Sequence, residues 1–312
     1  MRGMVDNMSC GFDYEPLPGS FDFGALVRDV DHSSLSDPNF RKSLVDLWHS
    51  SGVIVFRNCA SNPEYIIDLS KCFGDELIVH PLKEYTVPGY EELVQINAED
   101  QVYVVDGEEI AGWSGWHIDT IFRPAPNRGS LLCGLVLPSR GGNTGFIDRG
   151  QAYDRLSKED QERIAGLEVI YQYRSSIAEN RYYTKSNARR RDLSAPQAQV
   201  KEREAKDFRE VVQPMVVTIP ETQRKVLNIS PGSLVRIRDM DARESDVLLR
   251  RLVDHVEDEA FAYYHEWEHG DLVLWDNWRM LHRSAGCPPD EERQMVRTTI
   301  AAPWALGREM VP

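Results

Sequence analysis

The sequence predicts a mainly β protein with flanking helices, an α+β fold built as one interleaved domain over residues 1–312. Three observations point there. Short apolar runs bounded by Gly, Pro and polar turns recur from Val53 to Ala301, as strands do. A few well-capped amphipathic segments supply helices between them. Finally, histidine and carboxylate residues that could share one site are carried by both early and late strands, which disfavours two independent domains.

Residues 1 to about 25 lack periodicity and read as a tail or edge segment. Asp37 can cap a helix that opens with Pro38, places Phe40, Leu44 and Leu47 on one face and stops at Gly52. The buried strand Val53-Ile54-Val55-Phe56 follows. Asn62 and Pro63 open a second helix through Ile66, Leu69 and Phe73, expected to end at Gly74. Strands are expected at Leu93 to Asn97, Val102 to Val105 and Ser130 to Leu137, with one or two helices from about Gln151 to Ala165. The polar stretch Ala178 to Glu210 contains Arg189-Arg190-Arg191, read as a solvated helix face, and its length suits a lid or insert. Strands resume at Met215 to Ile219 and Lys225 to Ile229. A helix follows over Ala242 to Val256, with Leu248, Leu249, Leu252, Val253 and Val256 as its apolar stripe. Leu272 to Asp276 and Arg293 to Ala301 complete the set of strands.

Composition narrows the function. A chain of 312 residues, 41% of them hydrophobic, can bury a substantial core. The net charge of −14 and pI near 5.1 repel phosphate backbones, so nucleic acid is not an expected partner. No apolar run has membrane-spanning length and residues 1 to 20 do not resemble a secretory signal, so no membrane partner and a cytoplasmic location are expected. The five cysteines Cys10, Cys59, Cys72, Cys133 and Cys287 are scattered without a C-x-x-C, which argues against a disulfide framework or structural zinc site. A small-molecule substrate remains; homo-oligomerisation is left open.

The chemistry centres on Trp113-Ser114-Gly115-Trp116-His117-Ile118-Asp119-Thr120. In a strand, His117 and Asp119 point to the same side and can hold one metal between them. An imidazole plus a carboxylate suits ferrous iron, and a further His would complete a two-His-one-carboxylate site. One competitor is His265-Glu266-Trp267-Glu268-His269, which matches the zinc-protease pattern H-E-x-x-H. That chemistry needs a helix. Here Phe261, Tyr263, His265 and Trp267 alternate as in a strand, where residues four apart lie roughly 13 Å from one another and cannot share a zinc. Of His32, His49, His80, His255 and His282, the last stands out, at an expected strand entrance and followed by Arg293 and Arg297 on one strand face.

Taken together, His117-x-Asp119, Thr144, His282 and Arg293 at these spacings resemble the TauD/TfdA (taurine dioxygenase) family of Fe(II)- and 2-oxoglutarate-dependent oxygenases. Gly52 to Phe56, Phe73-Gly74, His80-Pro81, Gly141 to Thr144, Gly270-Asp271, Trp275-Asp276-Asn277 and Arg297 to Ile300 extend the resemblance over roughly Ser36 to Ala302. It implies a double-stranded β-helix, or jelly roll. It also implies Fe(II) on His117, Asp119 and His282, and 2-oxoglutarate as co-substrate with its far carboxylate on Arg293 and Thr144. O2 is consumed and succinate and CO2 are released. Because Asp119 is present, hydroxylation or desaturation is expected rather than the halogenation of relatives that lack the carboxylate. By the same resemblance Arg297 and His80 would hold an anionic group of the substrate. Trp113 stands where taurine dioxygenase has a polar residue, so a more apolar organic acid than taurine is expected. The acid expected to compete for Arg297 is Asp276. A non-catalytic jelly-roll binding protein is the alternative at this stage.

Overall fold

The computed structural model describes residues 11–19, 21–80, 83–174, 181–183, 188–190 and 208–310. Most of the 178–210 stretch, and so the expectation of a lid there, lies outside the described residues.

Two sheets face one another. The larger has eight strands in the order Tyr14–Pro16, Ala25–Arg28, Val53–Arg57, Leu272–Asp276, Gly129–Val136, Gln294–Ile300, Tyr90–Asn97 and Thr86–Val87. The smaller has four: Tyr263–His265, Thr144–Asp148, Met280–Ser284 and Ser114–His117. In both, strands from the C-terminal third pair with strands from the first half, as in a jelly roll.

The period of two explains the layers. Val53, Val55, Val273 and Trp275 turn inward and pack with Phe146, Tyr263 and Met280 of the smaller sheet. Their neighbours Ile54, Phe56, Leu272 and Leu274 turn outward. They pack beneath the helix Pro38–Ser51 through Phe40, Leu44 and Trp48, and beneath the helix Pro63–Ser70 through Ile66 and Leu69. On the smaller sheet Trp116, Ile147 and Leu281 point outward, against Leu248, Leu252 and Val256 of the helix Ala242–Val256. By the same alternation His117 follows Trp116 inward and His282 follows Leu281 inward.

The caps are as the sequence reads. Asp37 accepts from the Asn39 N–H and Asn62 from the Tyr65 N–H, and Gly52 ends the first helix at φ 76°. The second helix, however, ends at Ser70 and not near Gly74. Gly74 instead allows close approach to the large sheet, since a Cβ there would lie 2.5 Å from Ile300 Cγ2. Of the one or two helices expected from about 151 to 165 there are two, Arg149–Asp154 and Lys158–Ile164, the second capped by Ser157. The arginine run is not a helix face where it is described: Arg189–Arg190 forms a strand against Val102–Val105. The periodicity also missed Val211–Pro214, which pairs with Glu168–Tyr171 in a third sheet. Tyr14–Pro16 makes the N-terminal segment an edge strand against Ala25–Arg28, while residues 1–10 are outside the described set.

Candidate metal centre and active site

The strands Ser114–His117 and Met280–Ser284 are antiparallel neighbours, and their register sets His117 directly opposite His282. The two imidazole centroids are 4.2 Å apart. Asp119 completes the group, with Oδ1 3.4 Å from His117 Nε2 and Oδ2 3.7 Å from His282 Nε2. Ligand atoms of all three residues lie within 4.8 Å of one another, the only such grouping of His, Cys, Asp or Glu found among the described residues.

Each of the three side chains is held differently. His117 Nδ1 lies 2.8 Å from the Gly115 carbonyl, which only accepts, so Nδ1 carries a proton and donates it there, and Nε2 is left facing Asp119. The His282 ring sits between Trp275, at 4.8 Å, and Phe146, at 6.5 Å and stacked. Burial above all, with neighbouring His117 next, pushes its pKa down to about 3, so it is neutral at physiological pH, the form in which an imidazole can bind a metal.

Asp119 departs from the sequence expectation. The strand ends at His117, and the carboxylate is positioned by Asn277 instead of by a pleat. The Asp119 N–H donates to Asn277 Oδ1 at 2.9 Å, and Asn277 Nδ2 donates back to the Asp119 carbonyl at 3.0 Å and to the Asn127 carbonyl at 2.9 Å. The chain then turns through Thr120 at φ 51°, whose hydroxyl accepts from the Asn127 N–H. Burial raises the Asp119 carboxyl, but Arg297 and the two histidines outweigh it and hold the group well below the ordinary carboxylate range.

A cavity of about 190 Å³ opens beside the triad. Of the eight residues singled out in the sequence, six line it: Trp113, His117, Thr144, His282, Arg293 and Arg297. Asp119 contacts three of these six. His80 does not line the cavity; its ring meets Tyr85 edge-on at 5.5 Å. It follows a segment joined to the Arg297 strand by the Ile78 N–H, which donates to the Thr299 carbonyl at 2.7 Å.

The two arginines have distinct surroundings. Arg293 is 3% exposed, no carboxylate is paired with it among the described residues, and its Nε lacks any hydrogen-bond partner. Burial pushes its pKa down to about 10, which leaves it charged. Gly142, at φ 78°, passes close over it, and a Cβ there would come within 3.3 Å of Arg293 Nε and 2.7 Å of Pro138. Arg297 meets an acid, though not the one expected. Its Nη1 donates to Asp119 Oδ2 at 3.2 Å, while Asp276, the competitor considered, is paired with Arg128. Its Nε remains without a partner.

The H-E-x-x-H stretch is not helical. Tyr263–His265 is a strand and His269 lies exposed in the following turn. His265 is buried, 3.1 Å from Asp271, whose carboxylate also takes two hydrogen bonds from Arg57 at 2.9 Å each. Sequence reasoning missed the roles of Asn277 and Trp267. The former was visible only as part of a resembling motif, and the latter sat inside the competing one.

Residues 13–299 match the model of the family described as taurine catabolism dioxygenase TauD, TfdA family. The chain belongs to the TauD/TfdA family. As a member it is a non-haem iron dioxygenase that uses 2-oxoglutarate and O2, and the donor set His117, Asp119 and His282 fits Fe(II) in residue type and in the closeness of its ligand atoms. The (S)-phenoxypropionate/alpha-ketoglutarate-dioxygenase of Sphingobium herbicidovorans is 28% identical over 294 residues, covering 94% of this chain and 96% of that protein. The pentalenolactone F synthase of Streptomyces arenae is 30% identical, covering 93% and 97%. The alpha-ketoglutarate-dependent 2,4-dichlorophenoxyacetate dioxygenase of Cupriavidus pinatubonensis is 29% identical, covering 89% and 94%. The crystal structure of AAD-2 in complex with Mn(II) and N-oxalylglycine aligns at a TM-score of 0.70 and 25% identity, covering 95% of this chain and 99% of that one. A taurine dioxygenase from Burkholderia xenovorans shares the fold at a TM-score of 0.74, 23% identity and 96% and 97% coverage. No helix among the described residues is long and apolar enough to cross a membrane.

Proposed function

We propose that His117, Asp119 and His282 hold the Fe(II) of this dioxygenase, that Arg293 and Thr144 receive the far carboxylate of 2-oxoglutarate, and that Arg297, Trp113 and His80 serve the substrate, an organic acid with a substantial apolar body. The strands that carry these residues come from both ends of the sequence, which supports one oxygenase domain. The observation that carries the reading is the charge balance of the cavity: three guanidinium groups line it, and while Arg283 meets Glu259 and Arg297 meets Asp119, Arg293 meets no carboxylate among the described residues. A buried cation with no counter-charge is costly, so an entering anion relieves it, and the planar fork of Arg293 matches a carboxylate in two places at once.

Arg297 shares one nitrogen with Asp119 and keeps donors for a second acid. The apolar side of the cavity is supplied by Trp113, packed on Tyr103 at 5.3 Å, together with Ile96 and Leu132. Two relatives are named for phenoxypropionate and 2,4-dichlorophenoxyacetate, each a carboxylate on an aromatic body, which supports the same chemical class here. When bound, Fe(II) supplies the oxygen chemistry, in which 2-oxoglutarate is converted to succinate and CO2 as the substrate is oxidised. The chain's own part is to neutralise and orient two acids while its aromatic walls keep water out.

Succinate release from 2-oxoglutarate over a panel of aryloxyalkanoic acids, aliphatic acids and neutral analogues tests the reading. Acids with apolar bodies should stimulate release, and equal stimulation by the neutral analogues would remove the anionic requirement. With a substrate in hand, Arg297→Leu should raise its KM about ten-fold, as expected for one lost charged hydrogen bond. If 2-oxoglutarate affinity falls instead, the two arginines exchange roles.

A further inference from the structure

The stretch His265 to His269 contributes nothing to the metal, yet one of its residues reaches a side chain that lines the cavity. Trp267 Nε1 lies 3.0 Å from Thr144 Oγ1. An indole nitrogen only donates, so the Thr144 oxygen is the acceptor and its single proton must go elsewhere. The backbone of Thr144 is registered against His265 on one side and Ser284 on the other, and the residue is 4% exposed, so the side chain has little freedom. No acceptor for that proton is found among the described residues, while the cavity that Thr144 shares with Arg293 lies open beside it.

We infer that Trp267 is a positioning residue for the co-substrate: by holding one lone pair of Thr144 it turns the hydroxyl proton toward the carboxylate that Arg293 binds. The inference rests on the assignment of Thr144 and Arg293 to 2-oxoglutarate. The direction of the indole is fixed by what lies behind it. The His265 ring packs on Trp267 at 4.8 Å and nearly perpendicular, Tyr263 Oη is 3.2 Å from His265 Nδ1, and Asp271 joins His265 to Arg57. Orienting the hydroxyl therefore costs nothing further when ligand arrives, and the donor is in place beforehand. The buried histidine of the H-E-x-x-H stretch thus acts as a wedge behind the co-substrate end of the cavity.

Calorimetric titration of the anaerobic Fe(II) protein with 2-oxoglutarate, on wild type, Trp267→Phe, Thr144→Val and the double variant, tests this. Each single change should raise Kd about five-fold, the loss of one ordinary hydrogen bond, with Fe(II) affinity unchanged. Because Trp267 acts through Thr144, the double variant should be no weaker than Thr144→Val alone. If Thr144→Val weakens binding and Trp267→Phe does not, or if the two losses multiply, the inference fails while the co-substrate assignment stands. If neither change weakens binding, that assignment of Thr144 fails, and the inference with it. A second measurement leaves Trp267 intact: with ¹⁵N-indole label in the Zn(II) protein, the Trp267 N–H resonance should shift on saturation with 2-oxoglutarate, and less so in Thr144→Val. No shift in the otherwise wild-type protein would overturn the inference.

Discussion

Two histidine-bearing stretches in this chain have opposite fates. His117-x-Asp119 is a weak pattern, yet it meets His282 from 165 positions downstream of His117 in a cluster of three ligand atoms within 4.8 Å. His265 to His269 matches a strong pattern, yet one histidine is buried against Asp271 and the other faces solvent. The difference is secondary structure. Spacing of i and i+4 brings side chains together on a helix and separates them along an extended chain, so His265 and His269 part, whereas His117 meets His282 through strand register and Asp119 joins them through the Asn277 clamp just beyond the strand end. A motif carries its chemistry only on the backbone for which its spacing was defined.

The largest test of that contrast removes one of the two histidines that the cluster brings together. His282→Ala or His117→Ala should weaken Fe(II) binding by more than ~100-fold, since loss of even a supporting partner costs ten- to a hundred-fold. Metal titration followed by competition with a chelator measures it, and wild-type affinity in either variant would dissolve the assigned site.

Next in size is Arg293→Leu. With two charge-assisted hydrogen bonds to the co-substrate removed, Kd for 2-oxoglutarate should rise about 100-fold while Fe(II) affinity stays put. A variant that binds 2-oxoglutarate normally would mean that the uncompensated charge of Arg293 serves some other anion.

Much of the first stretch's fate is legible in the sequence alone, and the reasons are physical. His117 and Trp116 alternate faces because strands do, and Val53 to Phe56 splits between core and helix side by the same rule. Caps at Asp37 and Asn62 are local hydrogen bonds, so they too can be read from the sequence. What could not be read depends on contacts between distant segments. Arg297 had several acids within plausible reach, and only the fold decides that Arg128 takes Asp276 and leaves Asp119 to Arg297. The Asn277 clamp on the Asp119 backbone spans 158 positions and has no local signature. Gly74 resembled a helix stop because glycine serves close packing and chain reversal alike, and nothing nearby distinguishes the two.

The second stretch should respond in stability where the first responds in metal. Burial raises the Asp271 carboxyl, but hydrogen bonds from Arg57 and His265 outweigh it and bring its pKa to about 2, against an ordinary value of 3.8. A carboxyl depressed on folding stabilises the folded state above its unfolded pKa and loses that contribution as pH falls through the folded one. Asp271→Asn should therefore cost about 2 kcal/mol at pH 7, and the gap between variant and wild type should narrow as pH falls from about 5 toward 2. Urea unfolding across that range measures it. A gap that does not change with pH would show that the Asp271 side chain matters by shape and not by charge.

The smallest effect expected is at His269, where the protease reading would have put a ligand. It is exposed, follows the strand end by four residues and is joined to no metal-binding group among the described residues. His269→Ala should change stability by no more than about 0.5 kcal/mol, the ordinary range for an exposed substitution, and should leave Fe(II) stoichiometry and affinity as they are. His265→Ala, by contrast, empties a buried position beside Trp267 and should lower stability while sparing Fe(II) affinity. Metal analysis and thermal unfolding of the pair form a direct check on the backbone argument. If both alanine variants lost metal together, the two histidines would have to share an ion, and the stretch would have to be helical in solution.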